Sequence, residues 1–294
     1  MVKRVSLFLL VNFLILMMVG IVWELIQTFF GIRGSYIGYI ATFSLVLGMG
    51  GAFVSLWMSK FMAKHMMGVQ VIDPRTAQGV ERELVEIVHD LARKARLPKM
   101  PEVGIYNSPE VNAFATGPSK SNALVAVSSG LLQRFDREQV EGVLGHEIAH
   151  IANGDMVTMT LLQGVINALV LFLARVLAHV IASQGDRDRG YFFQFILIIV
   201  FQAVFGLLGA LVVNYFSRHR EFRADAGGAK LAGRQKMIEA LKALQRTVDL
   251  VDAKQEAIAS LKISGRSMGS VARLFATHPP LEERIRRLER MNIS

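Results

Sequence analysis

Gly145-His146-Glu147-Ile148-Ala149-His150 is an H-E-x-x-H set inside a stretch with the apolar period of a helix. One helical turn separates His146 from His150, so both imidazoles can reach a single metal ion while Glu147 faces the open coordination position beside them. That is the geometry of metal-assisted peptide hydrolysis. Working outward, Asp136 is an N-cap with Gln139 three residues on, and Asn153-Gly154 is a stop, which predicts a helix over residues 137–152. Its apolar stripe is Val140, Val143, Leu144, Ile148 and Ile151. His146, Glu147 and His150 fall within or against that stripe, where an unpartnered carboxylate is costly and a metal with its bound water removes the cost.

The chain has 294 residues, no cysteine and 52 % hydrophobic content. Without cysteine, disulfides and thiolate-held zinc are excluded, and a metal must rely on His and carboxylate. The positive mean hydropathy places part of the chain in lipid. A formal charge of +9 raises the question of nucleic acid, but it accompanies long apolar runs and no aromatic-basic motif, so the expected partner is the lipid bilayer and not nucleic acid.

Lys3 and Arg4 precede an uncharged run over residues 5–23, long enough to cross a hydrocarbon layer of ~30 Å. It is long for a signal peptide and lacks a small-x-small cleavage site, which predicts an uncleaved first span. A second run covers residues 34–59, so residues 1–60 read as a transmembrane hairpin. Gly48, Gly50 and Gly51 lie within it; no strand precedes them and no Lys-Ser/Thr follows, so they predict close helix packing and not a phosphate loop.

Residues 61–155 have the composition of a soluble domain and are read as the first part of a protease domain carrying the H-E-x-x-H helix. A helix is expected over residues 76–97, ended by Pro98 and Pro101, followed by β-prone pieces at 103–106, 112–116 and 123–127. The middle piece, Asn112-Ala113-Phe114-Ala115, is a candidate edge strand able to hold an extended peptide, or equally an internal strand. Apolar runs over 156–181 and 191–217 form a second hairpin, with Arg175 and His179 read as snorkelling groups and the charged loop between the runs as a solvated turn. Residues 218–294 are read as the helical second part of the protease domain. Glu221 and Asp225 stand at i and i+4 just past the hairpin, and an even number of spans returns them to the side of His146 and His150. Residues 254–270 read as a mobile linker, and the basic helix over 281–291 as a solvated face.

This order of parts resembles the HtpX-like zinc metallopeptidases, bacterial heat-shock membrane proteases related to the CAAX prenyl endopeptidases. The match covers nearly the whole chain: hairpin, H-E-x-x-H helix, second hairpin, then E-x-x-x-D. The resemblance implies one zinc ion per chain held by His146, His150 and Glu221, with Glu147 as catalytic base and Asp225 supporting a zinc-bound imidazole. It also implies an inner-membrane enzyme with a cytoplasmic active site, acting in stress-related quality control on unfolded or damaged membrane proteins. Asn112, Ala113, Phe114 and Ala115 look like the substrate path in such a protein, and the His278-Pro279 pair lies near the active site. His278 is either an oxyanion donor or a turn residue before Pro279-Pro280. The expected fold is mainly α with a small β-sheet: four transmembrane helices in two hairpins plus a gluzincin-like metallopeptidase domain.

Lys3, Arg4, Lys60, Lys64, Arg218, Arg220 and Arg223 outweigh the cations at the other ends of the spans, which predicts cytoplasmic termini. Two other classes compete with this reading. Asn12, Asn167, Gln202 and Asn214 could line a transporter path, but isolated amides more often bond between helices. Gly265-Arg266-Ser267-Met268-Gly269 fits G-x-S-x-G, yet no strand precedes it and no Asp separates it from His278, so a serine hydrolase is disfavoured.

Overall fold

The structure, a computed structural model, describes residues 28, 36–183, 190–259 and 277–291. Helices and strands follow in the order α1 (Tyr36–Met66), β1 (Gln70–Val71), α2 (Gly79–Lys94), β2 (Glu102–Tyr106), β3 (Ala113–Ser119), β4 (Asn122–Ser128), α3 (Ser129–Arg134), α4 (Arg137–Asn153), α5 (Asp155–Ala182), α6 (Gly190–Ala232), α7 (Arg234–Ala259) and α8 (Leu281–Glu289). These residues divide into two compact units, one ending at Leu56 and resuming over Thr158–Val213, the other made of Trp57–Val157 and the chain from Asn214.

In the first unit, α1, α5 and α6 are long and apolar enough to cross a membrane, three such helices among the described residues. The expected first span at 5–23 lies outside them, as does most of the charged loop before residue 190. Large apolar side chains such as Phe192, Phe195 and Leu207 point outward, which suits lipid and not water. Small residues bring the helices together. A Cβ on Gly48 would collide with the backbone of Ala168, and one on Gly164 would lie 2.8 Å from Met49 Sδ. Among the described residues nothing lies within 4 Å of a Cβ on Gly50 or Gly51, so of the three only Gly48 packs against a described helix. Two polar side chains of α5 find partners within the helix: Gln163 donates to Asn167 at 2.8 Å, and Arg175 donates to Leu171 O at 3.1 Å.

The second unit holds a four-stranded sheet in the order β1-β2-β4-β3. β2 and β4 are parallel, and β3 runs antiparallel to β4 with Ala113 opposite Val127 and Ala115 opposite Val125. Central β4 is buried from Ala123 to Val127, and its apolar run follows from cover on both faces. β3 is an edge strand. The core joins Leu84, Val88 and Leu91 of α2 to Val103, Val125 and Val127 of the sheet and to Leu144, Ile148 and Ile151 of α4.

Four expectations change. The sheet gains β1, too short to leave a pattern in the sequence. α2 begins at Gly79, not residue 76. α7 continues to Ala259, so residues 254–259 are helical and only the rest of the expected linker lies outside the described residues, with the Gly265–Gly269 motif. Finally, α8 is not simply a solvated face: Ile285 and Leu288 pack on Met237, Ile238 and Leu241, and Arg284 is buried with them.

Candidate metal centre

α4 starts as its sequence requires. Asp136 accepts from Gln139 N at 2.9 Å while the Gln139 side chain accepts from Asp136 N at 3.2 Å, and Gly154 closes the helix at φ 73°. Glycines then let α6 approach. A Cβ on Gly228 would meet His146 N at 2.9 Å, and one on Gly145 would meet Gly228 O at 3.2 Å, so the two backbones touch at His146 itself. This contact sets Glu221 of α6 beside both rings.

The Nε2 atoms of His146 and His150 lie 3.1 Å apart. Glu221 Oε2 is 3.5 Å from the first, and Glu221 Oε1 is 3.3 Å from the second. All three side chains are buried, with one ligand atom from each within 4.8 Å of the others. Behind the rings, His146 Nδ1 faces Asp225 Oδ1 at 2.9 Å and His150 Nδ1 faces Asp155 Oδ2 at 2.7 Å. Donation from each Nδ1 leaves each Nε2 with a lone pair. With both rings neutral, two such lone pairs and a carboxylate converge, an arrangement that repels itself unless a proton or a metal cation sits among them.

The same demand appears in the titration of the rings. Burial opposes a charge on His146, but acceptance by Asp225 and Glu221 outweighs it and pushes the pKa up to about 9. His150 is raised as well: burial works against it, and Asp155 and Glu221 prevail. Tetrahedral zinc with bonds of about 2.0–2.1 Å needs ligand atoms roughly 3.3–3.4 Å apart, close to the three separations found, and a sulfur-free N2O set is one zinc accepts. The residues fit the metal.

Around this cluster the remaining expected residues divide. Glu147 Oε2 accepts from Ala115 N at 2.9 Å, which ties it to the free side of β3. His278 Nδ1 lies 2.7 Å from Glu221 Oε2. A cleft of about 160 Å³ is lined by Asn112, Ala113, His146, Glu147, Glu221 and His278, among others. Phe114 is not brought to it; its ring packs on Tyr106 at 5.6 Å. Strand alternation explains the split, since Phe114 points opposite to its neighbours.

Two residues escaped sequence reasoning. Arg284 donates to both oxygens of Asp225, Nε to Oδ2 at 2.8 Å and Nη2 to Oδ1 at 2.6 Å. Its signal was available: Leu281, Arg284, Ile285 and Leu288 make an i, i+3, i+4, i+7 stripe with a guanidinium inside it. Asp155 carries a weaker one, a lone acid heading an apolar run.

Peptidase family M48 matches residues 79–292 of this chain. The Protease HtpX homolog of Bacillus velezensis is 54 % identical over 299 residues, covering 98 % of this chain and 99 % of that one. That of Bacillus subtilis is 52 % identical over 300 residues, with 98 % and 99 % covered, and Protease HtpX of Xanthomonas oryzae pv. oryzae is 48 % identical over 296, with 99 % of each covered. The crystal structure of S. mikatae Ste24p superposes with a TM-score of 0.66 at 20 % identity, over 98 % of this chain and 64 % of that one. That likeness is one of fold.

Proposed function

The chain belongs to peptidase family M48 and is a metalloprotease with membrane-spanning helices, and from that premise we propose a zinc endopeptidase that cuts unfolded or damaged membrane proteins. The observation that carries this reading is the convergence of His146, His150 and Glu221 beside a carboxylate fixed on an edge strand. His146, His150 and Glu221 would hold zinc, which when bound polarises a carbonyl and lowers the pKa of water toward ~7.

The chain's own groups do the rest. The outward N–H and C=O of Ala113 and the C=O of Ala115 on β3 pair an extended substrate by β-augmentation, while the Ala115 N–H is spent on Glu147 and Asn112 stands at the end of the strand. Glu147, held beside this strand, takes a proton from the attacking water and passes it to the leaving amine. Asp225 fixes the tautomer of His146. His278 donates Nδ1–H to Glu221 Oε2 and so orients that carboxylate; the neutral ring then carries a lone pair at Nε2 and not a donor for an oxyanion.

Domains follow the reading from sequence: hairpins over 1–60 and 156–217, protease segments over 61–155 and 218–294. By the distribution of basic residues, termini and active site are cytoplasmic in a bacterial inner membrane, and the role is stress-related quality control. Protease protection of a C-terminal tag in intact spheroplasts tests the orientation; digestion from outside would reverse it. For the chemistry, Glu147→Gln is expected to lower casein cleavage by about 10²–10⁴-fold while zinc stays bound at one per chain. A variant that still cuts at the wild-type rate removes Glu147 from its role.

A further inference from the structure

We propose that Asp155 is a positioning residue for His150, held in place by Arg223, so that each metal-facing imidazole has its own carboxylate-guanidinium brace. The proposal rests on the metallopeptidase reading above. Asp155 is the first residue of α5, where an acid is favoured by the helix dipole alone. An exposed carboxylate would satisfy that preference, however, and Asp155 is 1 % exposed with both oxygens committed. Oδ2 lies 2.7 Å from His150 Nδ1, and Oδ1 accepts from the Arg223 guanidinium.

The geometry dictates what the pair does. Acceptance from Nδ1 selects the tautomer whose Nε2 lone pair faces His146 and Glu221, and holds the ring plane in that direction. The negative charge also makes the imidazole a stronger donor to a cation. Arg223 orients the carboxylate through its other oxygen. The parallel with His146, Asp225 and Arg284 is close, although the residues come from different parts of the chain: Asp225 and Arg284 from α6 and α8, Asp155 and Arg223 from α5 and α6.

The test uses the full-length protein in detergent, with Glu147→Gln as background so that self-cleavage cannot intervene. Zinc affinity is read by competition with a chelator, and ligand geometry by the absorption spectrum of the cobalt-loaded protein. Asp155→Asn is expected to retain zinc about 10–100-fold less well and to shift the cobalt bands, and Asp155→Glu to recover part of both. Arg223→Ala, at a side chain 58 % exposed and so removable without collapse of the fold, is expected to weaken zinc retention several-fold, with Arg223→Lys in between. Wild-type affinity and an unshifted spectrum in a folded Asp155→Asn overturn the proposal; if that variant does not fold, an unchanged Arg223→Ala does so. Failure of the background protein to bind zinc at all would instead overturn the metallopeptidase reading.

Discussion

The two imidazoles of the centre are backed by the same charge pattern in different surroundings. Behind His146 the Asp225–Arg284 pair is sealed, with the guanidinium 7 % exposed. Behind His150 the carboxylate of Asp155 is equally buried, but Arg223 is 58 % exposed. A buried ion pair is held by its surroundings and punishes the loss of either partner, whereas a pair with one arm in water is screened and forgiving. One brace is therefore expected to be part of the fold, since Arg284 also anchors α8, and the other chiefly to tune the ring it touches.

Removing Arg284 should separate the two most sharply. Arg284→Ala leaves Asp225 buried beside His146 without its counter-charge and is expected to cost about 3–5 kcal/mol, measured by chemical denaturation in detergent. A loss below 1 kcal/mol would erase the contrast. Gly228→Ala acts on the His146 side alone: its methyl group would stand 2.9 Å from His146 N, and about 1–3 kcal/mol of overpacking is expected together with weaker zinc binding.

Acidity sharpens the comparison from the other direction. His146 is pushed up to about 9, so below that pH the chelated protein holds a proton which zinc must displace. Zinc affinity is expected to rise with pH up to about 9 and level off above it, about tenfold per pH unit for each proton displaced, and calorimetry in buffers of different ionisation enthalpy counts those protons. The smallest effect is reserved for Arg223→Ala, whose stability should stay within about 1 kcal/mol of wild type while its zinc affinity falls.

The legible parts of this molecule are those whose physics is local. Helical spacing aligned His146 with His150, the Asp136–Gln139 box and Gly154 bounded their helix, and apolar runs marked α1, α5 and α6. What stayed hidden depends on distant partners. The pairing of Asp155 with Arg223 joins residues 68 apart, and that of Arg284 with Asp225 joins residues 59 apart. A basic run such as Arg284-Ile285-Arg286-Arg287 reads as surface unless one notices that only Arg284 shares a stripe with Ile285 and Leu288. The tail of α7 has the polar composition of a linker, yet Ala, Lys, Gln and Glu are also good helix formers, and the helix runs on to Ala259.

The edge position of β3 has one more consequence. A protease that grips its target through amide groups does not depend on side-chain identity, but it is demanding about availability, because a folded protein has already paired its own main chain. Under the substrate pairing proposed above, selection for damage would need no damage-specific receptor: only a chain that has lost its hydrogen-bonding partners has any to offer.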